Sequence, residues 1–239
     1  VKYSVLMPYH DRAKEFRNTL LSFRHHYAGR DDYEVVVVED LKDVNSHRLH
    51  DALLSTLREF MDIPVVVYPS PSGCSNPSPA FNFGAGKCGG EFILLTNPEV
   101  MHHADVLSGL DGEFEADPGV YVVCGCRDVA VTSSAGEYPS LQYNDGQWLV
   151  HTRHNHRRLH FCTALSAGTY RKVGGFDEEY AKGVGYDDDD FRNQVEAARV
   201  RFSDRDDLLT LHQAHARSYA ISDALWDVNR QYYVRKWQR

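Results

Sequence analysis

Four consecutive carboxylates, Asp187–Asp190, follow Gly183-Val184-Gly185-Tyr186 and open a segment with helical patterning. Acids suit a helix start, where they cap free N–H groups and offset the macrodipole. Four in a row exceed what capping needs, and they repel one another. Such repulsion, with partial burial, raises a carboxylate's pKa and makes it a better base. On a helix, Asp187 and Asp190 share one side while Asp188 points elsewhere. A second oxygen-rich group, Asn97-Pro98-Glu99, carries its polar side chains two residues apart. After a strand that spacing presents both to one hard cation, which would neutralise charge on a departing diphosphate. Asn-Pro also starts a turn unaided. His212 and His215 follow the last apolar run. Neutral imidazole is a common metal ligand, although two histidines at this spacing also occur as plain structural residues.

Two further clusters carry less. Gly84-Ala85-Gly86-Lys87-Cys88-Gly89 fits the dinucleotide pattern letter for letter. That loop must follow a strand and open a helix, and here it precedes the strand-like Glu91–Thr96. It is no phosphate loop either, since Phe81 stands five residues before Gly86 and Cys88 follows Lys87. His151, His154, His156, His160 and Cys162 match no strong zinc spacing, and Arg153, Arg157 and Arg158 would repel a cation. This stretch reads as a mobile loop whose arginines and histidines contact an anionic ligand.

Strands must position the acids. Tyr3–Pro8, Tyr33–Glu39, Ile63–Tyr68, Glu91–Thr96 and Val120–Cys126 are short runs rich in β-formers. Tyr33–Glu39 is nearly all β-branched, as in a strand buried on both faces. Helical spacing covers Asp11–Tyr27, the Leu49, Leu53, Leu57 and Phe60 stripe, Ala80–Lys87 and Val106–Ala116. This alternation predicts an α/β layer fold with a largely parallel sheet, which binds ligands at the carboxyl ends of its strands. Those ends are Pro8–Arg12, Glu39–Asp43 and Asn97–Glu99, all polar and mostly acidic. Residues 128–160 lose periodicity and read as a long loop. Phe161–Tyr170 reads as a strand and turn, Asp189–Arg199 as a helix, Leu208–His212 as a last strand and Ser222–Trp237 as a terminal helix. With no linker or repeat, residues 1–239 form one domain with two lobes, 1–126 and 127–239.

The chain's 239 residues, 42% of them hydrophobic and 12% aromatic, suffice for a real core. A formal net charge of −8 argues against a general nucleic-acid or anionic-membrane surface. No apolar stretch approaches the roughly 18 residues that span a bilayer. Pro8, His10 and Asp11 come too early for a signal peptide. The start at Val1 reads as a trimmed domain, which leaves an anchor outside it open. Five cysteines (74, 88, 124, 126 and 162) are odd in number and lack secreted-framework spacing. The expected setting is reduced and cytoplasmic.

In this order the clusters resemble the family 2 nucleotide-sugar glycosyltransferases, which have the GT-A fold. SVLMPYHDR (4–12) is similar to the family's S-V-I-I-P-T-Y-N-R, and VVVVEDLKD (35–43) stands where it has V-V-D-D-G-S-x-D. FNFGAGKCGGEFILLTNPE (81–99) resembles R-N-x-G followed by G-E-Y-I and the metal-binding D-x-D. VGGFDEEY (173–180) and GYDDDDFRNQVEAAR (185–199) are similar to G-G-F-D-E and E-D-x-D-L-x-x-R. The resemblance runs from position 4 to about 215. It implies a Rossmann-like, mostly parallel central sheet flanked by helices, with a smaller acceptor-side lobe. It also implies a metal-dependent, inverting transferase of polysaccharide biosynthesis. Such an enzyme moves a sugar from a nucleoside diphosphate, UDP by default, to a hydroxyl of a glycan, lipid-linked or protein acceptor. Peripheral membrane association stays open.

Carried over residue by residue, Asp188 falls on the family's catalytic base. Asp40 falls on the base-contacting acid, with Pro8, His10, Arg12, Asn82 and Asn97 in the nucleotide pocket. Glu99 and His212 fall on the site of a Mn²⁺ or Mg²⁺ ion, with His215 as the alternate. Gly185, Tyr186, Asp187 and His215 line or support the acceptor side. Asn97 and Glu39 replace acidic Asp, Leu41-Lys42 replaces Gly-Ser, and Asp11 replaces Asn. One base and no placed nucleophile implies a single inverting displacement through an oxocarbenium-like centre. Two rivals are a nucleotidyltransferase, whose basic Gly loop after the first strand is missing from PYHDRAKEF, and a non-catalytic nucleotide-sugar-binding module.

Overall fold

Apolar runs build the centre of the molecule. In the computed structural model, which describes residues 1–41, 46–70, 76–133, 138, 140–216 and 223–238, four of them form a parallel block. These are β1 (Tyr3–Tyr9), β2 (Tyr33–Glu39), β3 (Val65–Pro69) and β4 (Phe92–Thr96), in the order β3-β2-β1-β4. Alternate side chains feed two cores. Val5, Val35 and Leu94 pack on one face with α1 (Ala13–His26), α2 (Ser46–Arg58) and α4 (Val106–Ala116). Leu6, Val36 and Ile93 pack on the other with α3 (Ser78–Ala85), α5 (Ala167–Val173) and α6 (Asp187–Ala197). Covering both faces with helices is what lets the strands be apolar throughout. The dinucleotide lookalike has a packing cause. A Cβ on Gly84 would lie 2.3 Å from Leu6 Cδ1 and 2.8 Å from Val38 Cγ2, so α3 reaches the sheet only with glycine there.

Past β4 the sheet becomes mixed. β8 (Cys162–Ser166) runs antiparallel to β4, and β6 (Tyr121–Ser133) antiparallel to β8. β9 (Phe202–Gln213) lies between β6, to which it is parallel, and the short antiparallel β5 (Val100–His102). β7 (Gln142–Val150) pairs antiparallel with β6. The expected loop at 128–160 therefore holds the end of β6 and all of β7. Its sequence hides this because QYNDGQWLV is mostly exposed, so no apolar alternation marks it. β5 has three residues, too few to show a period. β9 begins at Phe202 rather than Leu208 because its first half is polar. The expected turn after Ser166 is helix α5, capped by the Ser166 hydroxyl, which accepts from Thr169 N–H at 3.0 Å. The expected boundary at 126/127 falls inside β6, so one sheet crosses it. Cys88, Cys124, Cys126 and Cys162 are free thiols, whereas Cys74, Lys42 and Asp43 lie outside the described residues. No helix among the described residues is long and apolar enough to cross a membrane.

The terminal helix α7 (Asp223–Trp237) clamps the start of α6. Asn229 Nδ2 donates to the carbonyls of Tyr180 (2.9 Å) and Gly185 (2.8 Å). Asp190, 1% exposed, accepts from Tyr180 Oη, Gln194 Nε2, Lys236 Nζ and Trp237 Nε1 at 2.6 to 3.0 Å. One of the four clustered acids is thus an anchor for the fold. Replacing it removes one of the two carboxylates that hold Lys236, the other being Asp177, and strands three donors, so Asp190→Ala should destabilise the protein by about 3 kcal/mol. Chemical denaturation read by far-UV circular dichroism measures that loss.

Candidate active site

Strand pairing assembles the first half of the site. Val100 of β5 and Asp128 of β6 both lie opposite His212 in the sheet register. Glu99, one residue before β5, is thereby brought beside the imidazole. His212 Nε2 lies 3.8 Å from Glu99 Oε1, and His215 Nε2 lies 3.4 Å from the same oxygen. Each ring is oriented through its other nitrogen. His212 Nδ1 bonds Asp128 Oδ1 at 2.9 Å, and His215 Nδ1 bonds the Ala216 carbonyl at 2.9 Å. Both Nε2 atoms therefore face Glu99, and with Nδ1 donating, a neutral ring would offer its Nε2 lone pair to a cation bound there. Among the described residues, Glu99, His212 and His215 are the one group of three ligating side chains that could hold a metal ion. Burial opposes ionisation of Glu99, but the His215 hydrogen bond and the neighbouring His212 and Arg12 charges hold its carboxyl below the ordinary range. His215 is raised, first by Glu99. The donor set fits a divalent cation: one carboxylate and two aimed imidazoles. His215, expected as an alternate, stands beside His212 rather than in its place, and Asp128 carries no signal in the sequence because it sits in the stretch without periodicity.

The expected nucleotide residues surround the ends of β1, β2 and β4. Pro8 lies in β1 opposite Val38. His10 Nδ1 is 4.0 Å from Asp40 Oδ2, and the Asp40 N–H donates to the Tyr9 carbonyl at 2.9 Å. Glu39 points the other way, to His50 Nδ1 at 2.7 Å, so strand alternation leaves Asp40 as the acid beside His10. Arg12 Nε lies 4.0 Å from Glu99 Oε2 and thus reaches the carboxylate cluster. Asn97 directly follows β4. Asn82 is used differently from the expectation. Its amide donates to the Phe176 carbonyl (2.8 Å) and Glu178 Oε1 (2.9 Å) and accepts from Phe176 N–H (2.8 Å) and Tyr170 Oη (2.7 Å). Those bonds tie α3 to the Gly174–Phe176 turn and occupy the side chain.

The acidic run splits into four roles. Gly185 and Tyr186 both adopt left-handed backbone (φ 73° and 66°), which turns the chain sharply into α6. The Tyr186 ring packs 5.0 Å from Trp226. Asp187, 8% exposed, accepts from Asn76 Nδ2 at 2.9 Å. Burial and the adjacent Asp188 charge push its carboxyl up to about 7. Asp188 is the more open of the two, and its Oδ1 is hydrogen-bonded by the ring Nδ1 of His160. Burial works against its ionisation, yet His160 and Arg157 hold it below the ordinary carboxylate range. The rise expected from mutual repulsion therefore falls on Asp187, leaving Asp188 the ionised member. Asp189 faces Arg157 Nη2 at 3.4 Å. Arg158 makes two bonds to Asp204, at 2.8 and 2.6 Å, so Arg157 and Arg158, two of the three arginines expected to await an anionic ligand, have acidic partners within the chain. The segment before β8 joins the two halves of the site. His160 bonds Asp188, and the next residue, Phe161, packs its ring 5.1 Å from His212.

A parallel strand block with acids and histidines gathered at its carboxyl ends defines an α/β domain of the GT-A type. Residues 4–174 match the family described as glycosyl transferase family 2, and the chain belongs to that family. No curated protein gives a significant sequence match. Among solved structures, mannosyltransferase PcManGT from Pyrobaculum calidifontis, in complex with GDP-Man and Mn²⁺, is 17% identical with a TM-score of 0.65, over 98% of this chain and 61% of that one. S. aureus TarS 1-349 with UDP-GlcNAc is 15% identical with a TM-score of 0.66, over 97% and 65%. GalNAc-T7 with UDP, GalNAc and Mn²⁺ is 13% identical with a TM-score of 0.68, over 99% and 48%. At such identities the likeness is one of fold, and the chain spans about half to two thirds of these proteins.

The split between the two first acids has a consequence for stability. A carboxyl whose folded pKa is raised favours the fold while protonated, and that contribution is lost as pH rises toward about 7. Asp187→Asn keeps the oxygen that accepts from Asn76 and removes the titration. Its thermal midpoint relative to the unsubstituted protein should therefore climb between pH 5 and pH 8, as scanning calorimetry at both values would measure.

Proposed function

We propose that this chain transfers a sugar from a nucleoside diphosphate sugar to an acceptor hydroxyl, with inversion and with dependence on a divalent cation. The observation that carries the reading is the convergence of Glu99, His212 and His215 at the strand ends of a family 2 domain. Glu99 and the two imidazoles would hold the cation, and two nitrogen ligands favour Mn²⁺ over Mg²⁺. When bound, the cation neutralises charge on the leaving diphosphate. Asp40, His10 and Pro8 frame the nucleotide base, with UDP the default partner, while Asn97 and Arg12 lie toward the ribose and phosphates. Asp188 takes the proton from the acceptor hydroxyl as that oxygen attacks the anomeric carbon. An ionised carboxylate is ready for this role at neutral pH, which suits the direction of its pKa. Holding donor and acceptor together supplies much of the acceleration. The acceptor is a glycan, lipid-linked or protein hydroxyl.

Nucleoside diphosphate release from UDP-, GDP- and dTDP-sugars, with Mn²⁺ and with chelator, tests this reading. Chelator-sensitive release from one donor supports it. Diphosphate binding without release from any donor, even with glycan acceptors supplied, would favour a binding module instead. Asp188→Asn should lower turnover by about 10³-fold with nucleotide affinity nearly unchanged; full activity would remove Asp188 as base. Asp128→Asn should weaken Mn²⁺ binding by roughly 10-fold or more through the loosened His212 ring, as isothermal titration calorimetry would report.

A further inference from the structure

We propose that His160 is a positioning residue for Asp188: it fastens one carboxylate oxygen through two hydrogen bonds and leaves the other to meet the acceptor hydroxyl. This rests on the reading of Asp188 as the base. Asp188 Oδ1 accepts both from the ring Nδ1 and, at 3.3 Å, from the backbone N–H of His160. The Asp188 side chain keeps 36% exposure, so the carboxylate stays accessible while its Oδ1 is tied. The imidazole is 3% exposed and stands edge-on to Phe176 and Phe191, each with ring centroids 5.1 Å away, with Tyr121 at 6.4 Å.

The other ring nitrogen shows what the residue is for. Nε2 is buried and has no hydrogen-bond partner among the described residues. Burying an unpartnered ring nitrogen among aromatic side chains costs free energy that phenylalanine in the same place would not incur. The polar contact that offsets it is the one to Asp188. Donation from Nδ1 also settles the tautomer, since the neutral ring then carries its lone pair on Nε2.

The charged and titratable groups around Asp188 are Asp187 and Asp189 on its own helix, Arg157 and His160 before β8, and Tyr121 on β6. Arg157 is shared with Asp189, and Asp187 is the member of the pair that burial protonates. His160 is therefore the neighbour whose removal changes Asp188 most directly. In the reaction the acceptor O–H bond breaks toward the free oxygen of Asp188, and the Nδ1 proton stays on His160.

The test uses His160→Phe, which keeps the ring volume and deletes the donor, and His160→Asn, whose amide N–H reaches where Nδ1–H does. Long-range ¹H–¹⁵N spectra of the unsubstituted protein should show the Nδ1–H tautomer for His160; an Nε2–H tautomer would overturn the proposal and needs no variant to fold. In nucleoside diphosphate release with Mn²⁺ and the active donor, His160→Phe should lower kcat by about 10²-fold with the donor KM unchanged. Its acidic limb of kcat against pH should move up by about one pH unit, and His160→Asn should restore most of both. Unchanged kcat and limb in His160→Phe, or a loss with no limb shift and no rescue by asparagine, would overturn the positioning role alone. Silence of the unsubstituted protein toward every donor would instead overturn the transferase reading, and this role with it.

Discussion

His212 is held where β9 meets two other strands, and the candidate site depends on that register. The pairing with β5 brings Glu99 to one side of the imidazole, and the pairing with β6 brings Asp128 to the other. A slip of one residue in either ladder would turn the histidine to the opposite face of the sheet. His215 then joins the same carboxylate from the chain just past β9. Glu99 and a histidine pair more than a hundred positions away become one candidate ligand set, because backbone hydrogen bonds seat His212 beside Glu99. One core keeps that register, since it takes Val100 and Met101 from β5, Val129 from β6 and Leu208 and Leu211 from β9.

Electrostatics divides labour among four identical residues. Asp190 is buried and hydrogen-bonded to α7, where it secures the fold. Asp187 is buried with one amide partner and favours its neutral form. Asp188 is open and faces a histidine, and Asp189 faces arginine. Neighbouring carboxylates whose environments separate their pKa values commonly take different roles. In this chain Asp187, its carboxyl pushed up to about 7, loses its charge below that pH and then no longer repels Asp188. The His160-Phe161 pair then ties the Asp188 side of the site to the His212 side through a single short segment.

Much of this was legible in the sequence where physical signals are local. Continuous β-branched runs marked the buried strands, helical spacing marked α1 to α4, and five motifs in order marked the family. β5 and β7 were not legible. One is three residues long, and the other is an exposed strand whose side chains carry no period. Asn82 shows the limit of carrying a motif across: its residue type matches, but its hydrogen bonds are spent on the Gly174–Phe176 turn.

By itself, the sequence determined the layer architecture, the strand ends at which polar residues collect, and the acids and histidines available there, because burial patterns and turn residues act over a few positions. The tertiary structure decided which of those residues meet. It placed His215 beside His212, recruited Asp128 and His160 from a stretch without periodicity, and chose Asp187 rather than Asp188 to carry the raised pKa. Contacts between residues about 30 to 110 positions apart depend on strand register and on solvent exclusion, and neither quantity is written in local spacing.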